Sequence, residues 1–152
     1  MNSRVDISDL MFVGEGEIEF IIPSGVAVSK TIATGTVDTV NKQLIIDYKG
    51  TAPSYPLIMF KPLADLKGFQ LELKCIETGN RVTLRGDFYS STVNYIDNAK
   101  RSLDGSFANF DMSYVQILLT EWIQLPYEGV YHITYNTNID SNWQITAPIY
   151  YL

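Results

Sequence analysis

The sequence has little of what metal binding, disulfide cross-linking or acid–base catalysis requires. Cys75 is the only cysteine and His132 the only histidine, which excludes an internal disulfide, histidine-based metal clusters and most catalytic triads. Charged residues make up 18% of the 152 residues, below the usual share of about 25%. This low fraction of charged residues has two possible explanations. Part of the surface is covered by self-association, or the domain has a large apolar core.

Long apolar runs and basic clusters are also missing. The apolar runs at residues 10–13 and 57–60 are far shorter than the roughly 20 residues that span a bilayer, and the first residues lack a signal-peptide core. The formal net charge is −6, and Lys100-Arg101 is the only adjacent basic pair. We therefore expect no membrane and no nucleic acid as a partner, and a chain made in the cytoplasm.

What the sequence does have is two-residue alternation, strongest at residues 69–75. Phe69, Leu71, Leu73 and Cys75 fall on one side of an extended segment, and polar residues fall on the other. The pattern recurs between turn signals at the spacing of about eight to ten strands. It predicts an all-β fold, an antiparallel β-sandwich of jelly-roll-like type that allows one short helix. Residues 14–152 form the single domain, and residues 1–13 are an N-terminal arm or a first strand.

Particular turns and breaks are predicted as well. Residues 69–76 and 81–89 form a hairpin in which Gly79-Asn80 supplies positive φ angles. Gly35 marks a bulge or bend. Pro148 places the last strand at a sheet edge or marks its end, because proline cannot donate to a ladder.

Residues 114–125 fit two patterns. A helix would align one apolar stripe, and a strand would place Val115, Ile117, Leu119 and Ile123 on one face. The strand is favoured because the flanking segments are strands.

Two sets of polar residues resemble catalytic or metal sites. Glu121 lies among apolar residues and could serve as a glycosidase acid if Asp87 or Asp111 stood opposite it, but pairing with Arg81 or Arg85 is the simpler interpretation. Alternate polar residues also match the opening of a calcium loop, but Ser141 and Ala147 stand where that loop needs glycine and glutamate; the set is Asn136, Asn138, Asp140 and Asn142. We expect no catalytic residue, metal or cofactor, and leave ion binding at this loop open.

Aromatic residues make up 12% of the chain, and not all of them fit in one core. Tyrosine and tryptophan favour interfaces because they bury large areas and keep a polar tip. The predicted assembly interface consists of Met11, Phe12, Tyr127, Tyr150, Tyr151 and Leu152. Exposed aromatics also form platforms that stack on sugars, and the candidates for a glycan-binding module are Tyr89, Tyr127 and Trp143.

Residues 125–135 read Leu-Pro-Tyr-Glu-Gly-Val-Tyr-His-Ile-Thr-Tyr. This proline turn followed by Gly-x-Tyr-x-Ile-x-Tyr resembles the penultimate strand of jelly-roll assembly domains, found in trimeric C1q/TNF-like heads and in accessory domains of virus particles. The remaining chain, acidic and all-β, resembles small bacteriophage virion proteins. The resemblance implies a non-enzymatic structural or accessory protein of the virion, assembled in the host cytoplasm as a homo-oligomer with other virion proteins, in capsid decoration or as a head or tail component. The alternative is a glycan-binding β-sandwich module.

Overall fold

The computed structural model describes residues 25–105, 115–138 and 140–152. All regular secondary structure in these ranges is β-strand. The strands are β1 (Ala27–Thr34), β2 (Thr36–Asp38), β3 (Gln43–Tyr48), β4 (Leu57–Pro62), β5 (Leu66–Cys75), β6 (Arg81–Phe88), β7 (Asn94–Asp97), β8 (Ser102–Gly105), β9 (Val115–Ile117), β10 (Gly129–Tyr135) and β11 (Ser141–Tyr151). The predicted arm at residues 1–13 lies outside the described residues.

The strands form two antiparallel sheets that pack face to face, which confirms the predicted sandwich. The first sheet has the order β1-β11-β4-β7-β8 and the second the order β2-β3-β10-β5-β6-β9. Strands far apart in sequence lie side by side, as β3 with β10 and β4 with β11. The chain crosses repeatedly from one sheet to the other.

The core lies between the sheets and follows the alternation of the sequence. Leu71, Leu73 and Cys75 on β5 are fully buried, as predicted from residues 69–75. Inward residues of the first sheet meet them, and Phe60 packs edge-on against Phe88 with ring centroids 5.6 Å apart. Burial of Cys75 agrees with its predicted role as a small apolar side chain.

Gly35 lies where the chain passes from β1 in the first sheet to β2 in the second. Its amide donates a hydrogen bond of 2.9 Å to the carbonyl of Ile145. A Cβ at this position would stand 2.4 Å from Cγ2 of Ile145 and 2.5 Å from the carbonyl oxygen of Ile45. The predicted bend is therefore a crossing between sheets, and it requires glycine because of close approach.

The hairpin of β5 and β6 is present, with one difference from the prediction. Gly79 has a φ of +78°, whereas Asn80 does not take a positive φ. Val82 and Leu84 point into the core as expected.

Two other predictions need correction. At residues 114–125 the described part is a strand only over β9, and Leu119, expected to face inward with Ile123, is 96% exposed. Beyond β9 the pairing with β6 becomes irregular: the Leu118 amide donates to the Thr83 carbonyl, but the Thr83 amide donates to the Thr120 hydroxyl instead of to a backbone carbonyl. Pro148 marks neither an edge strand nor a strand end, since β11 lies between β1 and β4 and continues to Tyr151. It is tolerated because the strand pairing with β4 stops at Thr146, so no strand on that side requires an amide donor from Pro148. There the Pro148 carbonyl accepts a hydrogen bond of 2.7 Å from the Ser54 hydroxyl.

Candidate interaction surfaces

The two outer faces of the sandwich differ in chemistry. The second sheet presents mostly charged and amide side chains, which are Gln43, Asp47, Gln70, Glu72, Lys74, Arg81, Arg85 and His132. The apolar exceptions are Ile45 and Val130 on its strands and Leu118 and Leu119 beside β6. Such a face is compatible with water, as an antiparallel sheet with one solvated side normally is.

On the face turned away from the core, the first sheet presents a group of apolar side chains next to the polar Thr34, Gln144 and Thr146. On β1, Val28 is 64% and Ile32 61% exposed. Cross-strand pairing places them beside Tyr150 and Pro148 of β11. We call this surface the apolar outer face; its residues are Val28, Ile32, Leu57, Met59, Tyr95, Pro148 and Tyr150.

Few charges interrupt the apolar outer face. Lys30 lies between Val28 and Ile32 in the sequence of β1, while Lys61 and Asp97 lie on β4 and β7. Among the described strands, β1 is also an edge strand. An apolar face that continues to the edge of a sheet is typical of a contact surface rather than of a solvated one.

Part of the predicted assembly interface lies on or near this face. Tyr150 belongs to it, and Tyr151 and Leu152 end the same strand with exposed side chains. The exposed Tyr127 precedes β10 at the same end of the sandwich, where Gly129 pairs with Tyr48. Met11 and Phe12 lie outside the described residues. The sequence reasoning missed Val28, Ile32, Leu57 and Met59, although four apolar residues in succession at 57–60 signal a strand that is apolar on both faces.

The Tyr48 hydroxyl joins the two sheets at this end. It donates a hydrogen bond of 2.6 Å to the carbonyl of Ala52 and accepts one of 3.2 Å from the amide of Tyr150. Tyr48 is fully buried. The hydroxyl therefore fixes the position of the last residues of β11 relative to β3.

The predicted glycan platform does not form as proposed. Trp143 is only 7% exposed, because its ring lies between Phe60 and Tyr135 with centroid distances of 4.5 and 4.6 Å. Neither ring face is available to a sugar, so the stacking role assigned to Trp143 is wrong. Tyr89 follows β6 and Tyr127 precedes β10, and these strands run in parallel, so the two tyrosines lie at opposite ends of the second sheet.

A cavity of about 290 Å³ opens at one end of the sandwich, beside the edge of the Trp143 indole. Residues from the β2–β3 turn, the β4–β5 turn, the end of β10 and the start of β11 line it. They are Thr39, Lys42, Leu63, Tyr135, Thr137, Asn138, Asp140, Ser141 and Trp143. We call it the sandwich-end cavity.

Two residues of the predicted calcium loop already serve structural hydrogen bonds. The Asn136 amide group accepts from the backbone amide of Glu72 at 2.9 Å and donates to the carbonyl of Gln70 at 2.9 Å. The side-chain oxygen of Asn138 accepts from Nζ of Lys42 at 3.0 Å. Within the described ranges, no three His, Cys, Asp or Glu side chains group in a way that could hold a metal ion.

Glu121 borders an open groove of about 500 Å³ on the second sheet, together with Glu72, Arg81 and Leu119. Its side chain is exposed, so the expected apolar setting for a glycosidase acid is absent. The Glu121 amide donates to the carbonyl of Arg81, at the start of β6, whereas Asp87 lies near the end of that strand. Their side chains therefore do not converge on one site, and Asp111 lies outside the described residues. The nearest ion pair in the groove joins Nε of Arg81 to Oε1 of Glu72 at 3.7 Å.

His132 is a half-buried residue of β10 and contacts the β5–β6 turn. Its Nδ1 lies 2.6 Å from Oε1 of Glu77, and its backbone amide donates to Oε2 of Glu77 at 2.8 Å. Burial raises the pKa of Glu77, but the two hydrogen bonds from His132 outweigh it and leave that pKa below its usual value. The contact ties the hairpin turn to β10.

Comparison with protein-family models, with curated proteins and with solved structures finds no significant match to this chain. The described residues contain no helix with the length and apolar character that crossing a membrane demands. Function must therefore be inferred from the surfaces of the sandwich itself.

Proposed function

We propose that this protein is a non-enzymatic structural or accessory component of a virus particle, of the bacteriophage type, and that it acts through protein–protein contacts. In this role it decorates a capsid or forms part of a head or tail as a homo-oligomer. The observation that carries the proposal is the contrast between the two outer faces, one polar and one apolar. The apolar outer face is the surface through which the chain contacts a second copy of itself.

The energy available from this face favours association. Fully burying a valine or isoleucine contributes about 1.5–3 kcal/mol relative to leaving it exposed. Val28 and Ile32 are each more than half exposed, so covering them contributes roughly 1–2 kcal/mol per side chain. Met59, Tyr95, Pro148 and Tyr150 extend the contact. Rigid strands lose little conformational entropy on docking, which leaves more of this energy for binding.

The assembly part is tested by the mass of the protein in solution. We expect the wild type to sediment as an oligomer and the double variant Val28→Lys/Ile32→Lys to shift toward monomer, with a dissociation constant raised by roughly 100-fold or more. The matched control is Val130→Lys on the polar outer face, where Val130 is 49% exposed. Its assembly should equal that of the wild type.

A wild type that stays monomeric at about millimolar concentration would contradict self-association through this face. So would a control variant that dissociates as readily as the double variant. The virion part is tested separately, by immunogold electron microscopy of purified particles of the virus that encodes the chain. Particles without label would refute it, whatever the oligomeric state.

A further inference from the structure

We propose that two copies of this chain pack their apolar outer faces against each other about a twofold axis, with the edge of β1 left out of the contact. The inference rests on the proposed self-association and adds how the copies meet. The apolar outer face continues to the edge of β1, so the copies have two ways to associate. They can stack face on face, or they can pair β1 with β1 and extend the sheet. The structure of β1 decides between them.

A bulge interrupts β1. Between Val28 and Ile32, three residues of β1 oppose a single residue of β11. Within this bulge the Thr31 amide donates a hydrogen bond of 3.1 Å to the hydroxyl of Ser29. That amide is therefore already used inside β1. A further strand needs a regular row of unpaired amides and carbonyls, and a bulge breaks that row.

The remaining edge of β1 is short and carries a charge. Regular pairing is left to residues 27–28 before the bulge and 32–34 after it, and the chain then passes at Gly35 to the second sheet. Three residues of a strand span only about 10 Å. Lys30 is exposed in the bulge, and pairing with another strand would remove water from its charge. Edge pairing between copies is thus disfavoured.

Among the described residues, the surface that matches the apolar outer face is the same face on a second copy. The outer face of the second sheet carries mostly charged and amide side chains, among them Asp47, Lys74 and Arg85. Covering them with apolar residues would remove the water around those charges without giving them partners. When both partners use the same patch, a twofold axis relates the copies and the contact closes at two. The inferred assembly through this face is therefore a dimer and not an open chain.

The face is large enough for such a contact. The first sheet has five strands, and β4 at its centre is six residues long. At the usual spacings this corresponds to roughly 24 Å by 20 Å, or about 500 Å² for each copy. Two copies then bury about 1,000 Å², the lower bound for a specific interface. The three residues after the bulge would supply only a small part of that area.

The test compares a substitution in the face with one at the edge, in the full chain. Met59 lies on β4 between Tyr95 and Gln144, away from the edge of β1. Met59→Lys should raise the dissociation constant of the dimer about tenfold or more in sedimentation measurements, because its ammonium would be covered without a partner. Thr31→Lys is the matched control, since it adds the same charge in the bulge of β1. Its dissociation constant should stay within about twofold of the wild type.

Hydrogen exchange of the wild type is a second measurement that needs no variant. The amides of residues 27–34 should exchange at the same rate at about 1 μM and at about 1 mM protein, because face packing adds no hydrogen bond to β1. The mass in solution should level off at two chains over the same range. If Met59→Lys does not fold, the exchange rates and the mass decide.

Slower exchange of these amides in the concentrated sample would overturn face packing and leave self-association intact. A Thr31→Lys protein that dissociates as readily as Met59→Lys would do the same. A mass that rises beyond two chains would overturn the twofold axis, and an oligomer unaffected by Met59→Lys would show that the copies meet elsewhere. A wild type that stays a single chain throughout would instead refute the proposed self-association, and this inference with it.

Discussion

Replacing Gly35 by alanine should destabilise the sandwich at the crossing between its sheets. The new Cβ would lie 2.4 Å from Cγ2 of Ile145, which belongs to a fully buried β-branched side chain, and 2.5 Å from the backbone oxygen of Ile45. Ile45 is held in β3 between Thr36 and His132, so relief requires the crossing itself to move. That movement also strains the hydrogen bond from Gly35 to the Ile145 carbonyl.

The magnitude follows from these contacts. Overpacking of this kind costs about 1–3 kcal/mol, and a weakened hydrogen bond adds about 0.5–1.5 kcal/mol. The lower entropy of the unfolded chain with alanine returns about 0.4–1 kcal/mol. We expect a net loss of about 2–3 kcal/mol, seen as a fall in Tm of roughly 5–10 °C for a chain of this length. Urea unfolding should show a lower midpoint at unchanged slope.

Gly129→Ala is the matched control for this prediction. Its Cβ would meet nothing closer than the Tyr131 ring at 3.6 Å, which is ordinary contact, and its backbone has no positive φ. Its stability should stay within about 1 kcal/mol of the wild type. A Gly35→Ala protein that unfolds at the same temperature as this control would refute the close approach at the crossing.

Two further predictions concern polar contacts. Tyr48→Phe should lower the free energy of unfolding by about 2–3 kcal/mol in urea titrations, because it leaves the Ala52 carbonyl and the Tyr150 amide without their partner. A loss below about 0.5 kcal/mol would show that this hydroxyl does not hold β11 in place. Glu77→Gln should be less stable than the wild type at neutral pH, and the difference should shrink as the pH falls below 4.5, the ordinary value for this carboxyl. The sign follows because the folded-state pKa is lowered, so the unfolded chain binds the proton first and the stabilisation is lost on acidification. Parallel stability curves for the two proteins from neutral to acidic pH would contradict this.

The sequence predicted the fold class because alternation is a local signal. β5 and β10 show it without ambiguity: β5 buries Leu71, Leu73 and Cys75 and leaves Phe69 half-buried, and β10 buries Tyr131, Ile133 and Tyr135. β9 does not, because its pairing with β6 becomes irregular where the Thr83 amide bonds the Thr120 hydroxyl, and Leu119 beside it is exposed; this is a tertiary effect that residues 114–125 alone do not show.

The candidate sites were less predictable, for a related reason. Trp143 was predicted to belong to an exposed aromatic platform, but its ring is covered by Phe60 and Tyr135, which lie on β4 and β10. The sandwich-end cavity likewise draws its residues from four separate segments. Only the topology brings them together. The place of the chain in a virus particle stays a prediction.

The burial of Cys75 has a practical consequence. Since it is the sole thiol of the chain and is fully enclosed, a thiol-reactive dye can label the native protein only when the β5–β6 hairpin opens. The labelling rate thus reports how often this hairpin detaches from its neighbours. Because Cys75 does not react in the folded protein, a cysteine introduced on the surface can carry a fluorophore or spin label without replacement of Cys75.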